Sequence, residues 1–234
     1  MMSRRHVRGL ALAALLVVAV AVSVVAAQRA HTASLGPTAV GEDMNDIQTD
    51  IDAIAEIDPE VSLSSNPFDY AASSPALQRL VAKGAPALPA IEARLRTSSE
   101  NGLAEYLLVV AALQITKVDV AGGPNDSPLR EVVDAKQWPD AWSRYRRAVP
   151  GWTREILSSP TTVAEKNRAI TALGTLALPT IVDEIAAGRE ELSPAADALV
   201  QGCPEVDGAV NVHVTPKWAR DNNNRFEVLR SLTK

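Results

Sequence analysis

Few side chains in this sequence are suited to acid, base or nucleophilic chemistry. The chain holds three histidines and one cysteine. His6 and His31 lie near the amino terminus, so a Ser-His-Asp or Cys-His arrangement would have to use His213. His213 follows Cys203 and Asp207 in one stretch rich in loop residues. We keep a hydrolase that uses this loop as an alternative hypothesis, beside the simpler interpretation of an ordinary loop.

Other motifs of catalytic or metal sites are missing from the sequence. It contains no GxSxG, HExxH, P-loop or dinucleotide fingerprint, and no CxxC pair. Asn125-Asp126 and 221–224 lack the spacing of a calcium loop. Adjacent carboxylates such as Asp183-Glu184 diverge by about 100° on a helix and do not converge on one site. We therefore predict a protein without enzymatic activity, cofactor or metal.

An aromatic and basic segment, residues 138–154, is the one candidate binding site. It holds three of the four tryptophans, and the spacing of its first three rings places them on one helix face. Aromatic and arginine side chains dominate binding hot spots. The predicted patch consists of Trp138, Trp142, Arg144, Tyr145 and Arg147. The alternative is that the rings pack into the core while the arginines are solvated or pair with acidic residues 42–58. Exposure of the rings decides between the two.

The composition predicts that helices position these residues. Hydrophobic residues make up 47% of the chain but aromatic residues only 4%, so Ala, Leu, Val and Ile dominate. Serine-proline pairs at 74–75, 159–160 and 193–194 precede helical patterns, because serine caps a helix and proline suits its first turn. Thr162 and Glu165 have capping-box spacing, which would start that helix later. The predicted helices are 75–83, 86–97, 99–116, 136–148, 151–158, 161–173, 176–187, 194–201 and 216–232.

The amino terminus has the pattern of an export signal. Residues 1–8 carry three arginines, and residues 9–28 are uncharged and apolar. The apolar run suits either a signal peptide cut after Ala27 or a retained single transmembrane anchor, with the basic end in the cytoplasm. Both alternatives place the rest of the chain outside the cytoplasm. Residues 29–41 are small and polar, and we expect them to form a flexible tether.

An acidic amphipathic helix is expected at residues 42–58. Ile47, Ile51, Ile54 and Ile57 recur at helical spacing, and the remaining positions include seven carboxylates and no base. The helix can lie on the domain with a solvated acidic face, or it can dock a basic partner. Without the three leading arginines the chain has 20 basic and 28 acidic residues, which argues against nucleic acid as a partner.

A repeated phrase is the strongest internal signal. LVAKGAPALPAIEARL at 80–95 matches ITALGTLALPTIVDEI at 170–185, at an offset of 90 residues. The glycine ends one helix, and the next begins with proline in its first turn. Such a helix pair cannot bury its apolar face alone and must stack on neighbours. The matched positions are Leu80/Ile170, Gly84/Gly174, Ala87/Ala177, Leu88/Leu178, Pro89/Pro179, Ile91/Ile181 and Leu95/Ile185.

This phrase resembles a HEAT-type α-helical repeat. More narrowly, residues 67–232 resemble exported bacterial HEAT-repeat proteins, in which an Asn-Gly-Leu-x-Glu-Tyr-Leu-Leu helix, here 101–108, follows the Ala-Leu-Pro pair. The resemblance implies an all-α fold, a short HEAT-like stack (α-solenoid) over 67–234 that follows the amino-terminal hydrophobic helix. It also implies a non-enzymatic scaffold that binds a protein or peptide. A purely structural spacer is a further alternative.

Overall fold

The computed structural model describes residues 40–54, 67–118, 120 and 135–234. This part of the chain is all-α, 78% helical and without strands, as the sequence predicts. Residue contacts divide the chain into two units, Met1–Glu42 and Asp43–Lys234, and the buried core described below belongs to the second. The predicted segment 1–28 and most of the tether lie outside the described residues.

Eleven α-helices and six short 3-10 segments make up the described part. The α-helices are α1 Val40–Ala53, α2 Pro67–Ser73, α3 Pro75–Lys83, α4 Leu88–Thr97, α5 Leu103–Thr116, α6 Trp138–Ser158, α7 Val163–Thr171, α8 Leu178–Ala186, α9 Ser193–Val200, α10 Pro216–Asn222 and α11 Glu227–Leu232. The 3-10 segments are Ala85–Ala87, Ala135–Gln137, Thr175–Ala177, Glu190–Leu192, Pro204–Val206 and Asn223–Phe226.

The repeated phrase folds the same way at both positions. Gly84 and Gly174 adopt positive φ angles of 70° and 65°, each is followed by a 3-10 turn, and each next helix begins at a leucine followed by proline. Ala87 and Ala177 donate to the carbonyls of Gly84 and Gly174 at 3.0 and 3.1 Å. The matched leucine, isoleucine and alanine side chains from Leu80/Ile170 to Leu95/Ile185 are all buried, whereas Pro89 is exposed and Pro179 is buried. The predicted helix–glycine–helix corner is therefore confirmed twice.

One hydrophobic core joins these helices. α3 and α4 pack on α5, α4 packs on α6, α6 packs on α7, and α8 packs on α9 and α10. Small residues stand where the chain turns between helices, and Ala85, Ala87 and Ala177 are fully buried there. Leucine, isoleucine and valine fill most of the rest, with the aromatic exceptions confined to α6 and the carboxyl-terminal helices.

α6 differs from the prediction, which placed a break at Val149-Pro150. It runs unbroken for 21 residues with Pro150 inside. Proline removes one hydrogen bond and costs about 3 kcal/mol in a helix interior. The buried positions Tyr145, Val149 and Thr153 continue one face across the proline, so packing on both sides holds the helix together.

Helix starts follow the predicted capping chemistry in part. Ser74 caps α3 by accepting from the Leu77 N–H at 3.3 Å, and Thr162 and Glu165 form a reciprocal capping box at α7. Ser159 instead ends α6, and Ser193 is the first residue of α9 and donates to the Val214 carbonyl at 2.6 Å. α2 was not predicted, and the predicted helix 216–232 is divided by a 3-10 segment.

Candidate functional site

The aromatic row of α6 lies in the core. Trp138, Trp142 and Tyr145 are 3%, 0% and 3% exposed. The indole rings of Trp138 and Trp142 stack with centroids 5.5 Å apart, and the Tyr145 hydroxyl donates to the Leu173 carbonyl at 3.1 Å. Burial raises the pKa of the Tyr145 hydroxyl. The sequence correctly placed the rings on one face, but that face packs inward, which removes the main support for the predicted aromatic patch.

The arginines of the predicted patch lie on the opposite side of the same helix. Arg144 and Arg147 are exposed, as is Arg154 further along α6. At about 100° per residue these three positions fall within about 80° of one another, along about 15 Å of helix. We call Arg144, Arg147 and Arg154 the arginine stripe. Arg144 and Arg147 are the part of the predicted patch that a partner can reach, and Arg154 extends it.

The arginine stripe has no carboxylate partners within the described chain. Arg147 Nε donates to the Ser143 carbonyl at 2.8 Å, and Arg154 Nε donates to the Pro150 carbonyl at 3.1 Å, both one turn back on α6. The chain's other arginines are often paired, with a carboxylate oxygen within 4.0 Å of Arg79, Arg94, Arg96, Arg189, Arg225 and Arg230. Among the described residues, no α6 arginine pairs with an acidic residue of the segment 42–58, so this alternative is not observed.

Two buried donors on α6 lack acceptors. The Trp142 Nε1 and Arg146 Nε atoms are buried without a hydrogen-bond partner, one helical turn apart. Arg146 does donate through Nη1 to the Leu232 carbonyl at 3.0 Å, which ties α11 to α6. A buried donor without an acceptor costs about 1–3 kcal/mol. The unpaired indole N–H of Trp142 therefore lowers stability, and the burial of the large ring outweighs that loss.

A surface cavity of about 400 Å³ lies between α4 and the start of α6. Its lining residues are Leu95, Arg96, Ser98, Lys136, Pro139 and Asp140. The Arg96 guanidinium donates to Asp140 Oδ1, the Pro139 carbonyl and Ser143 Oγ at 2.9–3.1 Å, and to Glu92 Oε1 on its own helix. Most of its donors are thus used inside the protein, and it holds α4 against α6.

His213 is paired with a carboxylate, but its side chain is largely exposed. Its Nδ1 lies 2.9 Å from Asp197 Oδ2, and its side chain is 72% exposed. Asp197 Oδ1 accepts the Val214 N–H at 2.7 Å, so this aspartate also orders the loop before α10. The thiol of Cys203 is engaged with a different carboxylate, that of Glu205. The hydrolase hypothesis requires an enclosed site, but the structure shows His213 and Asp197 as an exposed pair.

A polar cluster around the buried Cys203 was not predicted. The Cys203 thiol donates to Glu205 Oε2 at 2.6 Å, and Glu205 Oε1 accepts the Ala85 N–H at 2.9 Å. Lys117 Nζ donates to the Leu199 and Gln201 carbonyls at 2.8 and 2.6 Å. Burial raises the pKa of the Cys203 thiol, and the Glu205 carboxylate raises it further, so the thiol stays protonated and unreactive. The cluster joins the first corner to the carboxyl-terminal part of the unit.

The ion pair between Arg230 and Asp183 leads to a pH prediction. Arg230 donates to both Asp183 oxygens at 2.7 and 2.8 Å, and Asn223 donates at 2.7 Å. Burial raises the pKa of Asp183, but these hydrogen bonds outweigh it and hold that pKa below its ordinary value of 3.8. A carboxyl group with a lowered folded-state pKa stabilises the protein above its unfolded value, and this stability is lost as the pH falls through the folded value.

We therefore expect Asp183→Asn to lower the free energy of unfolding by a constant amount near neutral pH. The difference from the wild type should shrink once the pH falls below 3.8. Chemical denaturation of both proteins across that range measures it, and Arg230→Gln should behave the same way. A difference that stays constant into acid would show that the pair does not act through ionisation.

Within the described residues, no group of three or more His, Cys, Asp or Glu side chains could hold a metal ion. No single helix among them is long and apolar enough to cross a membrane. One bent pair, Val163–Thr171 with Thr175–Ala186, meets the length and composition test only when joined across a bend of 118°.

Comparisons with known proteins add no relative to this description. No protein-family model matches the chain, and no curated protein or solved structure is significantly similar to it.

Proposed function

We propose that this chain is an extracytoplasmic, non-enzymatic binding protein that holds an acidic protein or peptide on its arginine stripe. The observation that carries the proposal is that Arg144, Arg147 and Arg154 are exposed on one side of α6 and have no carboxylate partner among the described residues. Guanidinium groups bind carboxylates with paired hydrogen bonds, and these arginines have no internal ion pair to give up, only single bonds from Arg147 and Arg154 to backbone carbonyls.

The buried side of α6 supports the same proposal. The stacked tryptophans and the Tyr145 hydrogen bond fix the helix on the core, so the arginines project from a rigid base. A preorganised surface loses less conformational entropy when it binds. The chain as a whole carries a net charge of −5. The arginine stripe is a positively charged patch on this acidic chain, and it attracts an acidic partner to one place.

The architecture that we propose for this binder is a short HEAT-like stack. Its support is the corner that recurs at Gly84 and Gly174 with the same backbone angles and the same buried positions. Helix pairs of this kind stack on one another and leave one row of helices accessible to partners. Export rests on the charge and length pattern of residues 1–28.

The test is capture of a partner by the full-length chain from an envelope extract. We expect Arg144→Glu combined with Arg147→Glu to abolish capture, because two attractive charges become repulsive. The matched control is Lys217→Glu combined with Arg220→Glu, which changes the net charge equally on exposed positions of α10. The captured partner should be acidic and should elute with salt.

Retention of the same partner by the Arg144→Glu/Arg147→Glu chain would refute the arginine stripe. Loss of the partner from both double variants would also refute it, because net charge rather than position would then decide binding.

A further inference from the structure

The acidic helix α1 contacts the rest of its unit along one narrow edge. Ile47, Ile51 and Ile54 are 1–2% exposed, and Asp50 is 4% exposed. The other α1 side chains described, from Met44 to Ala53, are exposed or half-buried. Apolar anchors at positions i, i+4 and i+7 are the spacing with which an amphipathic helix lies in a groove of another protein.

The surface beneath α1 is basic where α1 is acidic. Asp50 Oδ1 lies 2.7 Å from Arg79 Nε, and Asp46 Oδ2 lies 3.7 Å from Lys83 Nζ. Arg79 and Lys83 are one turn apart on α3. A third contact joins α1 to α4, where Arg94 Nη1 is 4.0 Å from Asp52 Oδ1. We call Arg79, Lys83 and Arg94 the basic rim.

Two of the three ion pairs that hold α1 are weak. Asp46 and Asp52 remain 70% and 59% exposed, and their oxygens are 3.7–4.0 Å from the basic rim. Exposed pairs of this kind contribute about 0–1 kcal/mol each. The stronger contacts of α1 are the Asp50–Arg79 pair, whose aspartate side chain is 6% exposed, and the three buried isoleucines. A separate helix with the same chemistry can compete with it.

We propose that the surface of α3 and α4 beneath α1 is a second binding site, which takes an acidic amphipathic helix of a partner protein in place of α1. The partner helix needs apolar residues at i, i+4 and i+7 and carboxylates at i−1, i+3 and i+5, the positions of Asp46, Asp50 and Asp52 relative to Ile47. α1 is the internal ligand that keeps the site closed. This site is separate from the arginine stripe and does not depend on it.

The test measures binding of a fluorescent peptide, residues 42–58 of this chain, to the full-length protein by anisotropy. Asp50→Arg places a cation against Arg79 and weakens α1, so the peptide should bind at least tenfold more tightly to this variant than to the wild type. The Arg144→Glu/Arg147→Glu chain should bind the peptide like the wild type, which separates this site from the arginine stripe.

Charge reversal shows whether the basic rim is the contact. Introducing Arg79→Glu and Lys83→Glu into the wild-type chain repels α1 through Asp46 and Asp50, and this chain should not bind the natural peptide. A peptide carrying Asp46→Lys and Asp50→Lys should restore binding. An Ile51→Asp peptide should bind to neither chain, because its central apolar anchor is lost.

A folded Asp50→Arg chain, with native helix content by circular dichroism, that fails to bind the peptide overturns the proposal. If Asp50→Arg unfolds the protein, Asp50→Asn replaces it, with an expected gain of about threefold. A dimer of the Asp50→Arg chain in sedimentation would also overturn the assignment, because a second copy's α1 would then be the occupant.

Discussion

Replacing Gly174 with alanine should cost about 3–5 kcal/mol of unfolding free energy, more than the same change at Gly84 or Gly151. A Cβ at this position would lie 2.2 Å from the Thr116 carbonyl oxygen, an atom of the backbone that cannot rotate away. The residue also has φ 65° and ψ −165°, a region that is almost exclusive to glycine. Overlap and backbone strain therefore add.

Two other glycines provide the controls. Gly84 has φ 70°, but its added Cβ would meet the Glu205 and Pro204 side chains at 2.9 Å, and the flexible glutamate can move. Gly84→Ala should therefore lose less than Gly174→Ala. Gly151 lies inside α6 with no atom within 4 Å of its added Cβ, so Gly151→Ala should stabilise the protein by about 0.5–1 kcal/mol.

Urea denaturation of the three variants measures this order. Equal losses at Gly84 and Gly174 would show that the left-handed backbone alone sets the cost, and that the close approach of the Thr116 carbonyl to the second corner does not matter.

The local structure of the corners could be predicted because the signals are local. A glycine, a proline five residues later and apolar residues at helical spacing fix a helix end and a helix start within about ten residues. The same holds for the capping box of Thr162 and Glu165, and for the apolar edge of α1 at Ile47, Ile51 and Ile54.

What the sequence could not supply are the contacts between distant segments. Glu205 reaches the Ala85 N–H across 120 residues, and Lys117 reaches the Leu199 carbonyl across 82. No spacing rule connects such positions. The continuity of α6 through Pro150 has the same origin, because packing of its buried face on other helices outweighs the local preference for a break.

The inward orientation of the aromatic row was also beyond the sequence. Rings at i and i+4 share a helix face whether that face is buried or exposed. An exposed hot spot and a packed core use the same residue types, so Trp138 and Trp142 fitted both interpretations. The arginines were less ambiguous than the rings, because arginine is rarely buried. Three arginines on one side of a helix therefore mark that side as the one that faces solvent.

Replacing Trp142 with alanine should lower the free energy of unfolding by about 3–5 kcal/mol, because the ring is fully buried and stacked on Trp138. Trp142→Phe should lose clearly less, since it keeps most of the ring and removes the indole N–H that lacks an acceptor. Arg144→Ala, one of the exposed positions of the same helix, should change stability by less than about 0.5 kcal/mol. Chemical denaturation followed by circular dichroism gives all three values.

The expected order of these stability losses determines how binding experiments on α6 must be interpreted. A partner lost through Trp142→Ala would report the weakened core, whereas a partner lost through Arg144→Glu with Arg147→Glu would report the contact itself. The opposite result is equally clear. If Trp142→Ala unfolds at the wild-type midpoint yet loses the partner, the indole is part of the binding surface, and the aromatic patch predicted from the sequence stands in place of the arginine stripe.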